Sequence, residues 1–332
     1  MTFDSVLVIS FGGPQGPDDI RPFLVNVLRG RRISPERVEE VAHHYELFGG
    51  ISPLTGITLR QAEGLRQRLA AAGHPLPVYV GMRNWNPYLL DTLRQMHAAG
   101  RRHAIGFIGA AQHSYSSCQQ YRENVATARA QLRREDGADV DVTYVGSWFD
   151  HPLFVAANAG HVREALATLP ADVRGATRLV FTAHSIPVSM ADRSRYREQL
   201  LTSAALVARE AGMQDWSLVY QSRSGRPEDA WLEPDVSEYL RRERAAGLRA
   251  AVLCPIGFVC DHIEVLYDLD REAAQVCREI GLSMTRAEAV NDDPVFLDMM
   301  ADVVLRTIDR YRTGRALPIA SPIPAATGRP RG

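Results

Sequence analysis

Residues 252–276 run Val252-Leu-Cys-Pro-Ile-Gly-Phe-Val-Cys-Asp-His-Ile-Glu-Val-Leu-Tyr-Asp-Leu-Asp-Arg-Glu-Ala-Ala-Gln-Val276. An apolar run ends at Cys254, a turn bearing Pro255 and Gly257 follows, and a helical pattern starts near Asp261. A buried strand delivered into a helix through a short turn is the repeating unit of an α/β protein. Asp261 stands where it can cap that helix, because its carboxylate can accept bonds from the unpaired N–H groups of a first turn. Glu264, Asp268 and Glu272 recur at i, i+4 and i+8, which stacks three carboxylates on one helix face. Like charges at this spacing repel and weaken an isolated helix. Such a face serves either as a route for cations or protons, or as a solvated acidic surface.

The same alternation extends outward through the chain. Short apolar runs at 5–10, 77–82, 104–110, 140–146, 177–182, 216–221 and 249–254 read as strands. Helical patterns cover about 17–28, 35–46, 57–73, 87–99, 117–135, 153–168, 192–212, 232–246, 261–279 and 293–313. Continuously apolar strands separated by helices predict parallel sheets covered on both faces. The expected fold is α/β: two similar Rossmann-like lobes, each a four-stranded parallel sheet flanked by helices, with the active-site cleft between them. The junction is expected near Ser147-Trp-Phe-Asp-His-Pro152, giving lobes at 1–150 and 151–314 and a poorly ordered tail at 315–332. In such folds ligands bind beyond the carboxyl ends of the strands.

Composition narrows the function. The chain has 332 residues, 45% of them hydrophobic, 23% charged, and a net charge of −1. Near-neutrality argues against a protein built to neutralise nucleic-acid phosphates. All 38 basic residues are arginine, which excludes a Schiff-base lysine and a P-loop lysine and favours bidentate recognition of carboxylates. Cys118, Cys254, Cys260 and Cys277 form no C-x-x-C pair. With no signal-peptide pattern, this spacing predicts free thiols in a cytoplasmic protein. No apolar run approaches the roughly 20 residues of a transmembrane helix.

The turns after strands hold the candidate chemistry. Ser10-Phe-Gly-Gly-Pro14 permits close backbone approach to a ligand, but it is not G-x-G-x-x-G and gives little support to a dinucleotide enzyme. Arg29-Gly-Arg-Arg32 is either a carboxylate-binding loop or a solvated one. Ser52, after Gly49 and Gly50, can donate to a ligand or cap the next helix. His113, Tyr115 and Tyr121 can line a flat aromatic ligand, although Tyr121 also fits a half-buried helix position with its hydroxyl in water. His184 ends a buried strand before Pro187, where imidazole can bind a divalent metal or accept a proton, or simply be hydrogen-bonded. The turn from Gln221 to Asp235 can contact substrate or pack the lobes together.

Taken together, Ser10–Pro14, Tyr45–Leu54, Val80–Trp85, Phe181–Pro187, Tyr220–Gly225, Trp231–Asp235 and Pro255–Asp270 make the chain resemble the ferrochelatase family, from about residue 5 to 312. The pairing of Ala183-His-Ser185 with Gly257-Phe-Val-Cys-Asp-His-Ile-Glu264 is its most specific signal. Arg29–Arg32, Ser147–Pro152 and Trp231–Asp235 are closer to the enzymes of Gram-positive bacteria that insert Fe(II) into coproporphyrin III, ahead of the decarboxylation that makes haem b. The resemblance implies that His184 and Glu264 are the catalytic and metal-handling pair, with Asp268 and Glu272 as the outer path. It also implies that Ser52 and Tyr121 contact the porphyrin. Arg29 and Arg31 are expected to pair with propionates, with Phe11 and Tyr45 beside the ring. Some relatives carry an iron-coordinating Tyr where this chain has Phe11, so any axial ligand must come from elsewhere or be absent. No cysteine cluster near the C-terminus matches the [2Fe–2S]-bearing relatives, so no cluster and no prosthetic group are expected, with Fe(II) as substrate.

The expected partners are a porphyrin and Fe(II), with no nucleic acid, no transmembrane segment, possible transient contact with neighbouring haem-pathway enzymes, and a monomeric state. The rival readings are a protoporphyrin IX ferrochelatase, a non-catalytic tetrapyrrole or metal carrier, a cobalt or nickel chelatase, and a Rossmann-type oxidoreductase.

Overall fold

The structure, a computed structural model, describes residues 2–29, 34–224 and 229–314. Among the described residues eight strands form two sheets: β1 (Ser5–Ser10), β2 (Val78–Met82), β3 (His103–Ile108) and β4 (Asp141–Tyr144), then β5 (Thr177–His184), β6 (Trp216–Gln221), β7 (Ala250–Cys254) and β8 (Ser283–Arg286). The strand orders are β2-β1-β3-β4 and β6-β5-β7-β8, so the second lobe repeats the topology of the first. Every pairing is parallel. β1 and β7 are buried along their whole length, as strands covered by helices on both faces must be.

Seven of the eight strands match the apolar runs. β8 does not, because it is a half-buried edge strand whose sequence, Ser283-Met-Thr-Arg286, lacks a continuous apolar run. The helix expected from 57 begins at Pro53, where proline's fixed φ and missing N–H suit a first turn. The helix expected from 232 begins at Val236, with Asp235 accepting bonds from the Ser237 and Glu238 N–H groups.

In each lobe the strand order reverses between its first and third strands, β1/β3 and β5/β7, and crevices for ligands open at such points. One continuous core joins the lobes: Val6, Val8 and Phe107 from the first sheet, Leu179, Phe181 and Val252 from the second, and Phe296 and Met300 from the closing helix Pro294–Arg312. That helix also reaches the first lobe at its surface, through Arg68–Asp298 and the Phe3–Tyr311 ring contact at 5.3 Å. The Ser147–Pro152 segment is structural. Trp148 stacks on Phe107 at 5.4 Å, and His151 Nε2 lies 2.7 Å from the Asp302 carboxylate. The tail 315–332 lies outside the described residues.

Candidate active site

His184 is the last residue of β5 and pairs in register with Gln221 at the end of β6. The turn after it is held by backbone bonds: Ser185 N donates to Gln221 O at 2.8 Å, and the Ser185 hydroxyl donates to Leu232 O at 2.8 Å. The segment after β7 comes close because Gly257 has no side chain. A Cβ there would meet Ala183 Cβ at 2.6 Å and Ala183 Cα at 2.8 Å. This close approach of the two strand ends at the β5/β7 reversal brings Glu264 opposite His184.

The His184 Nε2 to Glu264 Oε2 separation is 3.7 Å, and His262 Nε2 lies 3.6 Å from the same oxygen. His184 Nδ1 is 2.5 Å from the Ser185 carbonyl. A carbonyl only accepts, so Nδ1 carries a proton, and whenever the ring is neutral its Nε2 turns a lone pair toward Glu264. Two lone-pair atoms at this separation can both reach one first-row divalent ion, whose bonds to nitrogen and oxygen are about 2.0–2.2 Å long in zinc sites. Both side chains remain open to solvent, 32% and 44% exposed. Among the described residues no preformed group of three or more His, Cys, Asp or Glu is arranged to hold a metal ion.

Asp261 does not cap the helix. Helical geometry begins at Ile263 with His262 as N-cap, which leaves Asp261 one position too early to reach the free N–H groups. Its carboxylate instead accepts from Arg286 Nη1 and Asn291 Nδ2, each at 2.8 Å, while its own N–H donates to Asn291 Oδ1. Gln61 of the first lobe reaches this loop, donating to Asn291 O at 2.6 Å. The segment leading to Glu264 is therefore tied to both lobes.

Beyond Glu264 the helix widens into π geometry over Leu266–Ala273, an uncommon form that recurs at functional sites. Asp268 and Glu272 lie in this stretch, and electrostatics distinguish the two. Burial pushes the Asp268 carboxyl up to about 7, with repulsion from Glu264 and Glu272 adding to the effect. Hydrogen bonds donated by the Ser222 hydroxyl and by Gln221 Nε2 (3.3 Å) act in the opposite sense. Glu272 is also raised, first by burial and then by Asp235, with Arg37 opposing. Tyr267 of the π stretch stacks on His44 of the first lobe, ring centroids 3.6 Å apart.

The first lobe also contributes rings and the Arg83 guanidinium. Phe11, just after β1, contacts Phe23 edge-on at 6.2 Å and packs, as Val259 does, against the small apolar cluster of Leu54, Ile57 and Cys260. Tyr121 is 7% exposed, buried more deeply than a half-buried helix position. Burial pushes Tyr121 up to about 12, and the charge of Glu264 contributes to the same rise. Tyr45 is likewise raised, by burial and then by Glu264, which places both tyrosines within electrostatic reach of that carboxylate. Arg83 lies over both Phe11 and Tyr121, 5.7 and 5.8 Å from their ring centroids. Ser52 sits at the N-cap position without a side-chain cap bond, packed where a Cβ on Gly13 would fall, 2.7 Å from its Oγ.

Arg29 is exposed and donates to Asn26 Oδ1 at 2.7 Å, whereas Arg31 lies outside the described residues. The His113 N–H donates to Gln199, and the Tyr115 hydroxyl donates to Glu123. The four cysteines are free thiols. The structure thus adds His262 and Arg83 to the residues singled out in the sequence, and it sets Gln221 and Ser222, which open the turn named there, beside Asp268. Gln221 and Ser222 carried a usable signal, being polar residues directly after the apolar run of β6.

A sequence profile of the family described as ferrochelatase matches residues 4–308. The ferrochelatase of Rhodopirellula baltica is 47% identical over 316 residues, covering 95% of this chain and 89% of that protein. The coproporphyrin III ferrochelatase of Mycolicibacterium smegmatis is 45% identical over 307 residues, covering 92% and 89% of the two chains. That of Streptomyces coelicolor is 46% identical over 333 residues, covering 96% and 89%. Among solved structures, the sirohydrochlorin chelatase SirB of Bacillus subtilis subspecies spizizenii, in complex with cobalt, superposes with a TM-score of 0.53 at 9% identity. It covers 94% of this chain and 97% of that one, a likeness that concerns the fold alone. With relatives this similar along nearly its whole length, and with the His184–Glu264 pair at the reversal of its second sheet, the chain belongs to the ferrochelatase family.

Proposed function

We propose that the protein inserts Fe(II) into coproporphyrin III. The observation that carries this reading is the juxtaposition of His184 and Glu264, two metal-competent atoms 3.7 Å apart and open to solvent. Relatives at 45% and 46% identity named for coproporphyrin III support the choice of porphyrin.

Metallation exchanges two pyrrole protons for one divalent ion. The site must therefore strip water from the metal, take up two protons and hold the ring. His184 Nε2 is the proposed base and metal ligand, and Glu264 faces it as second ligand or proton acceptor. Asp268, with its carboxyl near 7, can hold and release a proton at neutral pH, and Glu272 continues the path outward. Phe11, Tyr45, Ser52 and Tyr121 are the proposed ring contacts. Arg29 and Arg31 are the proposed partners of propionates, which guanidinium groups can bind bidentately.

The same reading takes 1–150 and 151–314 as the two lobes and the protein as a cytoplasmic monomer. It meets neighbouring pathway enzymes transiently and works without a resident prosthetic group or [2Fe–2S] cluster. Among the described residues no helix is long and apolar enough to cross a membrane, which supports the absence of a spanning segment.

Anaerobic incubation with Fe(II) and either coproporphyrin III or protoporphyrin IX tests the proposal. Catalytic conversion of coproporphyrin III, faster than that of protoporphyrin IX, is the expected result. A Soret shift at one equivalent without turnover would identify a carrier instead.

A further inference from the structure

Arg286 is the last residue of β8 and stands in register with Leu253 of β7, which pairs in turn with Val180 of β5. Its side chain therefore grows from the same hydrogen-bonded sheet that ends in His184. That side chain is 12% exposed and directs its donors at two carboxylates. Nε and Nη2 donate to the two oxygens of Asp270, at 2.6 and 2.9 Å, and Nη1 donates to Asp261 Oδ1 at 2.8 Å. Asp261 precedes the helix that starts at Ile263, and Asp270 lies within the π stretch, so Glu264 falls between the two anchored points. A lysine ammonium could not do this, because it lacks the planar fork that grips one carboxylate with two N–H groups while a third reaches another. Buried ion pairs are weak devices for stability alone, since desolvation cancels much of their attraction. What such a bracket supplies is one fixed geometry, and a site gains most from it when its reacting groups stand on rigid elements.

We propose that Arg286 is a positioning residue for metal insertion: by bracketing Asp261 and Asp270 against the sheet that carries His184, it sets where Glu264 stands relative to the imidazole. This rests on the chelatase reading of the same site. His184 is fixed by its own strand, whereas Glu264 comes after a turn and just before the change from α to π geometry. The two forms differ in residues per turn, so any slip between them redirects the side chains around it. Arg286 blocks that slip by holding a point on each side of Glu264 to one guanidinium. It acts through Glu264 and is distinct from the groups that meet the metal.

The test measures Fe(II) insertion into coproporphyrin III, and Co(II) binding by the porphyrin-free full chain under argon, for Asp270→Ala and Arg286→Lys. Each substitution is made in wild type and in Glu264→Gln. Asp270 is 37% exposed, so Asp270→Ala opens one end of the bracket and leaves the buried Asp261–Arg286 pair in place. Arg286→Lys keeps the charge and removes the fork. In the wild-type background both should lower kcat and weaken Co(II) binding, each by about tenfold, with the porphyrin KM unchanged; a misplacement of about 1 Å can cost as much as about a hundredfold. In Glu264→Gln the same substitutions should change neither quantity, because the group they position is gone. Equal fold losses in the two backgrounds would reveal a general loosening and overturn the proposal. Wild-type kcat and Co(II) affinity in Asp270→Ala would overturn it too. Co(II) binding that follows the expected pattern in a protein that metallates no porphyrin would sink the functional reading and leave the role of Arg286 standing.

Discussion

Asp268 carries two opposing environments on one carboxyl. Burial and the neighbouring Glu264 and Glu272 favour its neutral form, while Ser222 and Gln221 favour its charged one, and burial prevails at about 7. A carboxyl raised in the folded state binds a proton that the unfolded chain releases near pH 4. Stability from this group is thus full below about pH 4 and is lost as pH rises through about 7. Asp268→Asn has no such slope, so its stability relative to wild type should rise by about 2–3 kcal/mol between pH 5 and pH 8. Urea midpoints at the two pH values measure this; a constant difference would mean that Asp268 titrates like a solvated carboxylate. From the sequence the ladder was legible as spacing, and His184 opposite Glu264 as a strand-end pairing. The burial that separates Asp268 from Glu264 was not, because it depends on Gln221 and Ser222 arriving from another strand.

At the scale of elements, the site exists because the ends of β5 and β7 approach until only glycine fits at 257. Gly257→Ala should push the Glu264 segment away from His184, costing about 1–3 kcal/mol of stability through overpacking. Insertion should fall more than tenfold, out of proportion to the loss in Tm. A variant with wild-type kcat would show that the close approach does not set the His184–Glu264 distance. Element order and type followed from apolar runs and helical periods, which act locally. The start of the π-bearing helix did not. Asp261 has the chemistry of a cap, but Arg286 and Asn291, distant in sequence, engage its carboxylate more fully than a first turn would.

For the whole molecule, two sheets of identical order share one core, with Phe296 of the closing helix buried among residues of both. Phe296→Ala should cost about 3–5 kcal/mol, and both wild type and variant should unfold in a single transition. Calorimetry showing two separate transitions would mean that the lobes are energetically independent. The repeated lobes were legible from alternating patterns, whereas the seat of the closing helix was not, since an apolar face does not name the surface that covers it. On the proposed function, this cleft metallates a porphyrin through His184 and Glu264. The most direct measurement is anaerobic Fe(II) insertion into coproporphyrin III by wild type and His184→Ala, with porphyrin binding followed by the Soret band. The variant should bind porphyrin like wild type and insert iron at least 100-fold more slowly, within the range of about 10²–10⁴ that a positioned base contributes. Near-normal insertion by His184→Ala would contradict it.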